Sequence, residues 1–448
     1  MMKTDGLLEI NNGVMYYNGY NLKDLALKYK TPLKITFLDI IRDRALNVKA
    51  SFDKAIKENN YNGNYIYLNA NKANYGAREV IEAYKYSDGL ETSSYYDLLF
   101  TRKIYELSNS KNKLIVSNGY KLNDYLDEII DLNNNGYKII DIIDSISEYE
   151  YLKEKNAKLN VGLRIHLEAQ YSEEDEVVKN DRFGLTKKEY DFIINDLVNT
   201  NLNLTTIHFH QRGFDYEDDK FRINFKKAFS YYSNAKKKYD SVVNFNIGGG
   251  LPLPFNRTFD YDKWADSVIK LLKELCLESG VTEPNIISEN GKYSQKDSTI
   301  NIYKVVGIKN TDNYPWYIVD SSLLIALPEM YALGEPIEVK PVSNLDKEMV
   351  KARLAGITCD CDDVYYLKEK GYIMLPKDSE GLYIACLGTG SYQNSMNGKG
   401  GVHHCLLPEE KDLLIYSDGN NKVFEIRKEL QTIDEILDLN GFNKLKKI

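Results

Sequence analysis

Several residues that can bind an aldehyde or a phosphate stand directly after short apolar runs of this chain. Lys72 follows YIYL in the segment NANKAN, and Gly248, Gly249 and Gly250 follow VVNFNI. A lysine amine can form an imine with an aldehyde, and the backbone N–H groups of consecutive glycines can bind a phosphate. Glu289 follows a further apolar run, and a buried carboxylate beside a pyridine nitrogen would keep that nitrogen protonated. These residue types predict a site for an aldehyde cofactor that carries a phosphate.

Each of these features also has a simpler explanation. A lysine most often lies on the surface, three glycines most often form a flexible turn, and Glu289 could cap the turn that follows it. His208 and His210 lie near the end of another apolar run. We expect only one of these histidines to face the mouth of the site, and the other to pack in the core or on the outer face. The cofactor site therefore depends on a fold that brings the residues together.

The pattern between about residues 60 and 295 indicates such a fold. Short apolar runs alternate with helical patterns, as in repeated βα units around a parallel sheet. Eight strands favour an α/β fold with a (β/α)8 TIM-like barrel over an open doubly wound sheet, and the reactive groups of a barrel lie at the carboxyl ends of its strands. The predicted strands are Tyr65–Asn69, Gly89–Thr92, Leu114–Ser117, Ile139–Ile142, Gly162–Ile165, Thr206–His210, Phe245–Gly248 and Ile286–Glu289.

A second domain rich in β-strands is expected after the barrel. From about residue 300 the chain has closely spaced strand-like runs such as YKVVGI, WYIVD, IEVKPV and DLLIYSD, and a last helix is expected in ELQTIDEILDLNG. The early segments GVMYYNGY and PLKITFLD have the same character. We therefore predict an N-terminal segment 1–40 that joins the β domain, a barrel over 41–298 and a C-terminal β domain over 299–448.

Composition favours a small-molecule substrate. The 448 residues include 58 Lys and Arg against 66 Asp and Glu, a net charge of −8, which argues against binding to nucleic acid or to an anionic membrane. The start MMKTDGLLEI lacks the basic and apolar regions of an export signal, and no stretch reaches 18 apolar residues. We expect a cytoplasmic protein with no membrane span.

The five cysteines do not predict a disulfide framework, because their number is odd and the chain is long. We interpret them as free thiols. Cys359 and Cys361 are separated by one residue, which is not the usual spacing of a zinc knuckle, and no second knuckle matches it. We therefore predict no metal site.

Eight motifs in order give a more specific prediction. The segments YLNANKAN, GLETSSYYDL, RFGL, IHFH, NIGGGLP, SENGKYS, GITCDCDD and TGSYQNS resemble the fold-type III pyridoxal phosphate (PLP)-dependent decarboxylases. This alanine-racemase-like family includes ornithine, diaminopimelate and biosynthetic arginine decarboxylases, and the resemblance is strongest to the arginine branch. It implies a PLP-dependent enzyme of polyamine and spermidine biosynthesis that converts L-arginine to agmatine and carbon dioxide.

The resemblance also implies roles for individual residues. Lys72 would hold the cofactor as an imine, His210 would stack on its ring, Glu289 would pair with the pyridine nitrogen, and the three glycines would bind the phosphate. Glu91, Arg164, Lys292 and Tyr392 would line the cofactor site.

Cys359 and Asp360 match a pair that the second subunit of a homodimer contributes to a shared active site. The thiol would protonate the carbanion, and the carboxylate would bind the distal cation of the substrate. Asp362 and Asp363 lie close by in sequence, and paired carboxylates suit a guanidinium.

One motif departs from the family. Relatives usually have His-x-Gly-Ser, whereas this chain has His210-Gln211-Arg212-Gly213, so a serine expected at the phosphate is absent and Arg212 could supply charge instead. Arg212 also keeps diaminopimelate open as the substrate, beside ornithine and lysine. An amino-acid racemase and a cofactor-carrying protein without catalysis are further alternatives. Some arginine decarboxylases depend on Mg²⁺, but no motif here indicates it.

Overall fold

The computed structural model describes residues 7–167, 182–211, 219–251, 259–335, 337–365 and 371–445. The N-terminal segment forms a small antiparallel sheet of three strands, a helix and one further strand. These elements are β1 (Leu8–Asn11), β2 (Val14–Tyr17), β3 (Tyr20–Asn21), α1 (Leu22–Tyr29) and β4 (Leu33–Phe37). The segment GVMYYNGY pairs with its own neighbours, and it also contacts the C-terminal β domain, because the Met15 N–H donates to the Val342 carbonyl at 2.9 Å.

Eight parallel strands follow and close into a barrel in sequence order. They are β5 (Tyr65–Ala70), β6 (Gly89–Thr92), β7 (Leu114–Ser117), β8 (Lys138–Ile143), β9 (Asn160–Arg164), β10 (Asn203–His208), β11 (Asn244–Asn246) and β12 (Asn285–Asn290). The barrel closes because its last strand, β12, pairs with its first strand, β5, starting with Ile286 opposite Tyr65. The predicted (β/α)8 fold is confirmed, and each strand lies within a few residues of its prediction.

Helices cover the outside of the barrel. They are α2 (Leu38–Glu58), α3 (Ala77–Tyr86), α4 (Tyr95–Ser108), α5 (Asn123–Asn134), α6 (Ile146–Glu154), α7 (Lys187–Asp196), α8 (Asp219–Lys238), α9 (Tyr261–Ser279) and the short α10 (Lys292–Gln295). Ser145 caps α6 and Thr186 caps α7, each in a reciprocal bond with the glutamate three residues on. These caps fix where the chain turns from a strand into the next helix.

Apolar side chains fill the barrel only below its open end. Leu68, Val116, Ile140, Ile142 and Ile287 form a buried cluster contributed by four of its strands. The residues nearer the carboxyl ends of the strands are polar and equally buried, among them Asn69, Glu91, Asn246 and Glu289. Buried polar groups persist where they bond to one another, so the polar layer marks the candidate site.

The remaining chain forms a domain rich in β-strands, as expected. Its strands are β13 (Thr299–Lys309), β14 (Trp316–Val319), β15 (Glu338–Pro341), β16 (Met349–Ala355), β17 (Ile373–Pro376), β18 (Tyr383–Leu387), β19 (Lys411–Asp418) and β20 (Asn421–Lys428). Its helices are α11 (Leu323–Ala326), α12 (Pro328–Leu333), α13 (Asn394–Asn397) and α14 (Ile433–Leu439). Strand β4 lies between β13 and β19 in its nine-stranded sheet. The segment PLKITFLD thus joins this domain to the start of the barrel.

Across the described ranges, none of the helices combines the length and the apolar character that a membrane span needs.

Candidate active site

Lys72 lies at the open end of the barrel, in a short 3-10 turn (Asn71–Ala73) that follows β5. Its Nζ donates to both carboxylate oxygens of Glu91, at 3.1 and 3.2 Å. Burial lowers the pKa of Lys72, but the nearby carboxylates of Glu91 and Glu289 outweigh it and raise the pKa above its usual value. The amine is therefore held as an ammonium, while 42% of the side-chain surface remains open at the rim.

Two asparagines join the glutamates of the barrel into one network. Asn118, which follows β7, donates from Nδ2 to Glu91 and to Glu289, at 2.9 Å each. Asn246, the last residue of β11, donates to the other oxygen of Glu289 at 2.7 Å. Burial and the charge of Glu289 raise the pKa of Glu91, whereas Lys72 lowers it. Sequence reasoning missed both asparagines, although each is a polar residue at a strand end, the signal used for the other site residues.

His208 and His210 both adjoin residues of the candidate site, His208 beside Glu289 and His210 beside the glycine turn, so the expectation that only one faces the mouth of the site is wrong. Side chains two residues apart on a strand point to the same side. His208 is buried, with Nδ1 3.7 Å from Glu289 Oε1, and burial together with the charge of Arg164 lowers its pKa well below the usual value. His210 is half-buried, and its Nδ1 accepts the backbone N–H of Gly249 at 3.3 Å.

The glycine turn after β11 lies against His210 and β12. Gly248 has a left-handed φ of +68°, and a Cβ there would meet His210 Nδ1 at 2.7 Å. A Cβ on Gly249 would meet the carbonyl oxygen of Glu289 at 2.2 Å. Side chains are therefore excluded at both positions. Gly250 continues the turn, with φ of +106°.

Arg164 and Lys292 already have partners. The Arg164 guanidinium lies over the ring of Phe183, at 4.5 Å from the centroid, with Nη1 3.7 Å from Asp144. Lys292 Nζ pairs with Glu329 at 2.8 Å and with Glu335 at 3.0 Å. Lys292 thus links the end of β12 to the β domain.

Tyr392 brings the β domain close to Lys72. Its backbone N–H donates to the carbonyl of Ala73 at 2.8 Å, and Asn74 donates to the carbonyl of Gly390 at the same distance. Burial raises the pKa of the Tyr392 phenol, and the charge of Lys72 opposes that rise. Tyr392 therefore lies beside the amine, at the boundary of the two domains.

The loop that carries Cys359 is held within the β domain. The Cys359 thiol is exposed, 3.6 Å from the thiol of Cys405, and this contact raises its pKa. Asp360 Oδ2 lies 3.4 Å from His404 Nε2. Asp362 is exposed, and its N–H donates to Asp360 Oδ1 at 2.9 Å.

Asp363 differs from its neighbours in this loop. It is buried, and its carboxylate accepts from the Ser322 hydroxyl, from the N–H groups of Leu323 and Leu324, and from the N–H and hydroxyl of Thr358. A carboxylate that already accepts five bonds has little capacity left for a substrate cation. We assign Asp363 to the framework of the loop, against the prediction that it binds substrate.

In the motif that differs from the family's His-x-Gly-Ser, Arg212 and Gly213 lie outside the described residues. Gln211 is buried and accepts from Asn224 at 3.1 Å. It therefore anchors the chain after His210 to helix α8.

Similarity to known proteins agrees with this arrangement. Residues 70–295, just over half of the chain, match the family model for the pyridoxal-binding domain of pyridoxal-dependent decarboxylases. Biosynthetic arginine decarboxylases of Chromobacterium violaceum and Pseudomonas putida are each 26% identical, over 58% and 63% of this chain. These matches span only 44% and 47% of the length of those two relatives.

Two solved structures share the fold. The biosynthetic arginine decarboxylase of Campylobacter jejuni has a TM-score of 0.86 at 20% identity, covering 99% of this chain and 92% of its own. The diaminopimelate decarboxylase of M. jannaschii in complex with L-lysine has a TM-score of 0.78 at 22% identity, covering 98% of both chains. The family match over the barrel, the shared fold and the geometry around Lys72 lead to the same conclusion. The chain belongs to the pyridoxal-dependent decarboxylases.

Proposed function

We propose that this protein is a PLP-dependent decarboxylase of a basic amino acid, with L-arginine as the first candidate substrate. The observation that carries the proposal is the position of the Lys72 ammonium, at the open end of the barrel and bound to the buried Glu91. The curated relatives named biosynthetic arginine decarboxylase support the choice of substrate. Diaminopimelate, ornithine and lysine remain the alternatives within the same chemistry.

The residues at the rim fit the cofactor. The glycine turn admits no Cβ at Gly248 or Gly249, so its backbone can approach a phosphate closely. His208 Nδ1 is buried beside Glu289 and has no hydrogen-bond partner among the described residues, which leaves one polar atom available at the place expected for a pyridine ring. Lys72 would hold the aldehyde carbon, Glu289 the pyridine nitrogen and the glycine turn the phosphate.

When bound, PLP supplies an electron-accepting ring that stabilises the charge left after the Cα–carboxylate bond breaks. Glu289 supports this because its buried negative charge favours a protonated pyridine nitrogen. Asn118 and Asn246 hold both oxygens of Glu289 in place. Glu91 keeps the Lys72 amine charged and oriented, so that the amine can take up or release a proton as substrate enters and product leaves. His210 would pack on the ring face.

The proton that replaces carbon dioxide at Cα needs a donor, and we assign it to the Cys359 thiol of a second chain. Cys359 is exposed on the β domain of its own chain, and its loop is fixed there by Asp363. Asp360 and Asp362, on the same exposed loop, would bind the distal cation of the substrate by charge-assisted hydrogen bonds. A homodimer with shared active sites is the smallest assembly that meets this requirement.

A substrate screen tests the proposal. Purified protein reconstituted with PLP is incubated with L-arginine, L-ornithine, L-lysine or meso-diaminopimelate, and release of carbon dioxide is measured. We expect the fastest release from arginine. Preference for diaminopimelate would overturn the arginine assignment, and interconversion of L- and D-amino acids without carbon dioxide would overturn decarboxylation.

A labelling experiment tests the site separately. Borohydride reduction followed by peptide mapping should fix the cofactor to Lys72, and Lys72→Ala should lose both the label and the visible absorbance of the imine. Lys85→Ala is the matched control, because Lys85 is an exposed lysine on helix α3 paired only with Glu82 among the contacts described for it. Retention of the label in Lys72→Ala would remove the site assignment.

A further inference from the structure

The loop after β16 and the turn before β19 bring three soft ligands together on the surface of the β domain. They are Cys359, His404 and Cys405, here called the thiol cluster, and their Sγ and ring nitrogen atoms all lie within 4.8 Å of one another. Cys359 and His404 are 45 positions apart in sequence, so only the fold brings them together. The cluster is exposed, which leaves a path for an ion to enter.

We propose that the thiol cluster binds one thiophilic divalent metal ion, with Zn²⁺ as the best match. A tetrahedral zinc site with Zn–S bonds of about 2.3 Å places two sulfur ligands about 3.8 Å apart. The thiols of Cys359 and Cys405 are 3.6 Å apart. The two segments therefore already hold the sulfur atoms at nearly the separation that the ion requires.

The fourth coordination position has a local candidate. Asp360 Oδ2 lies 3.4 Å from His404 Nε2, so this carboxylate can serve as a fourth ligand or bind a water that does. Binding of one Zn²⁺ displaces one proton from each thiol, because thiolates are the ligating form. The two thiolates then balance the charge of the ion.

A neighbouring group is the main competitor for the ion. Ligand atoms of Asp360, Cys361 and Asp362 also lie within 4.8 Å of one another. That group has one thiol, one half-buried carboxylate and one exposed carboxylate. Zinc prefers thiolate and imidazole ligands to harder oxygen ligands, which favours the thiol cluster. Cys361 therefore provides a matched control, an exposed cysteine two residues from Cys359 that belongs to the other group.

Titration of the reduced, metal-free full-length protein with Co²⁺ under anaerobic conditions tests the site. We expect one Co²⁺ per chain with thiolate-to-metal charge-transfer absorption, which Zn²⁺ abolishes by displacement. Cys405→Ser should weaken binding at least about a hundredfold, since it removes a ligand and not merely a supporting bond, and His404→Asn should weaken it as well. Cys361→Ser should bind as the wild type does.

Several outcomes would overturn the site. They are unchanged affinity in Cys405→Ser, loss of binding in Cys361→Ser, and absence of metal uptake with Cys359 and Cys405 recovered as a disulfide. Circular dichroism of the variants separates loss of a ligand from loss of the fold.

A consequence for activity rests on the proposed function. A Cys359 thiolate bound to Zn²⁺ has no proton to give, so stoichiometric Zn²⁺ should inhibit release of carbon dioxide, a chelator should restore it, and Cys405→Ser should resist inhibition. Metal binding without inhibition would contradict the role of Cys359 as proton donor, while the direct titration would still establish the site.

Discussion

The rim of the barrel and the loop that carries Cys359 are opposite kinds of functional surface. At the rim, Glu91 and Glu289 are buried, and one asparagine bonds to both of them. On the loop, Cys359, Asp360 and Asp362 lie at the surface, and only Asp363 beneath them is fully bonded inside the domain. The polar groups of the rim thus bond mainly to one another within one chain, whereas those of the loop are presented to solvent.

The difference follows from how each surface is built. Eight strands of a closed barrel fix the positions of the residues at their ends, and the buried polar groups must bond to one another because water is excluded. A loop between two strands of an open sheet has no such constraint, since water can satisfy its polar groups. Preorganised charge at the rim suits chemistry on a bound cofactor, and an exposed loop suits insertion into a partner.

The prediction with the largest expected effect tests whether the rim and the Cys359 loop of one active site come from different chains. Lys72→Ala should lower carbon dioxide release at least about a thousandfold, and Cys359→Ser about a hundredfold. When the two variants are mixed and allowed to exchange chains, a heterodimer has one intact site, so activity should return to roughly a quarter of the wild-type value. If both residues act within one chain, the mixture stays inactive.

The matched control places both substitutions in one chain. Mixing this double variant in excess with wild-type protein should depress activity, because every heterodimer then lacks one member of each shared site. Activity that merely reflects the remaining wild-type chains would contradict shared sites.

The rim was largely predictable from sequence, and the reason is physical. Strand ends are marked by a change from apolar to polar residues, and a closed barrel brings all of these ends to one side. Lys72, His210 and Glu289 were all identified in this way. The same rule, applied to every strand, would also have found Asn118 and Asn246. The expectation that His208 and His210 point to different sides was wrong because side chains two residues apart on a strand point to the same side. The sequence contained the information needed to avoid this error.

A second prediction concerns the charge inside the rim. Glu289→Gln should lower kcat about a hundredfold, because the pyridine nitrogen loses its buried counter-charge. The variant should also capture PLP at lower pH. Glu289 helps to raise the pKa of Lys72, so its neutralisation lowers that pKa and yields the unprotonated, reactive amine at a lower pH. The measurements are steady-state kinetics and the rate of reconstitution with PLP as a function of pH.

The control for this variant is Glu82→Gln, a half-buried glutamate on helix α3 that is paired with Lys85. It should leave both the kinetics and the pH dependence of reconstitution unchanged. Either a kcat near the wild-type value or a shift of the reconstitution profile to higher pH in Glu289→Gln would contradict the role assigned to Glu289.

The loop was less predictable than the rim. Sequence shows that Cys359, Asp360, Asp362 and Asp363 are close along the chain, but it does not show which carboxylate is buried or that Cys405 lies beside Cys359. Both facts depend on contacts with segments that are distant in sequence. The prediction of no metal site rested on local spacing alone, and local spacing does not reveal that Cys405 of another loop lies beside Cys359.

The prediction with the smallest expected effect distinguishes the role of Asp360 from that of Asp363 in this loop. Asp360→Asn should raise KM for arginine about tenfold and leave the thermal midpoint close to that of the wild type, because it weakens a charge-assisted bond to the substrate at a half-buried position. Asp363→Asn should instead lower the free energy of unfolding by about 2 kcal/mol, since its buried carboxylate accepts from five donors and an amide can serve only some of them. KM of the folded Asp363→Asn protein should stay close to the wild-type value. Thermal denaturation and steady-state kinetics on both variants measure the contrast. A rise in KM without loss of stability in Asp363→Asn would return that residue to the substrate site.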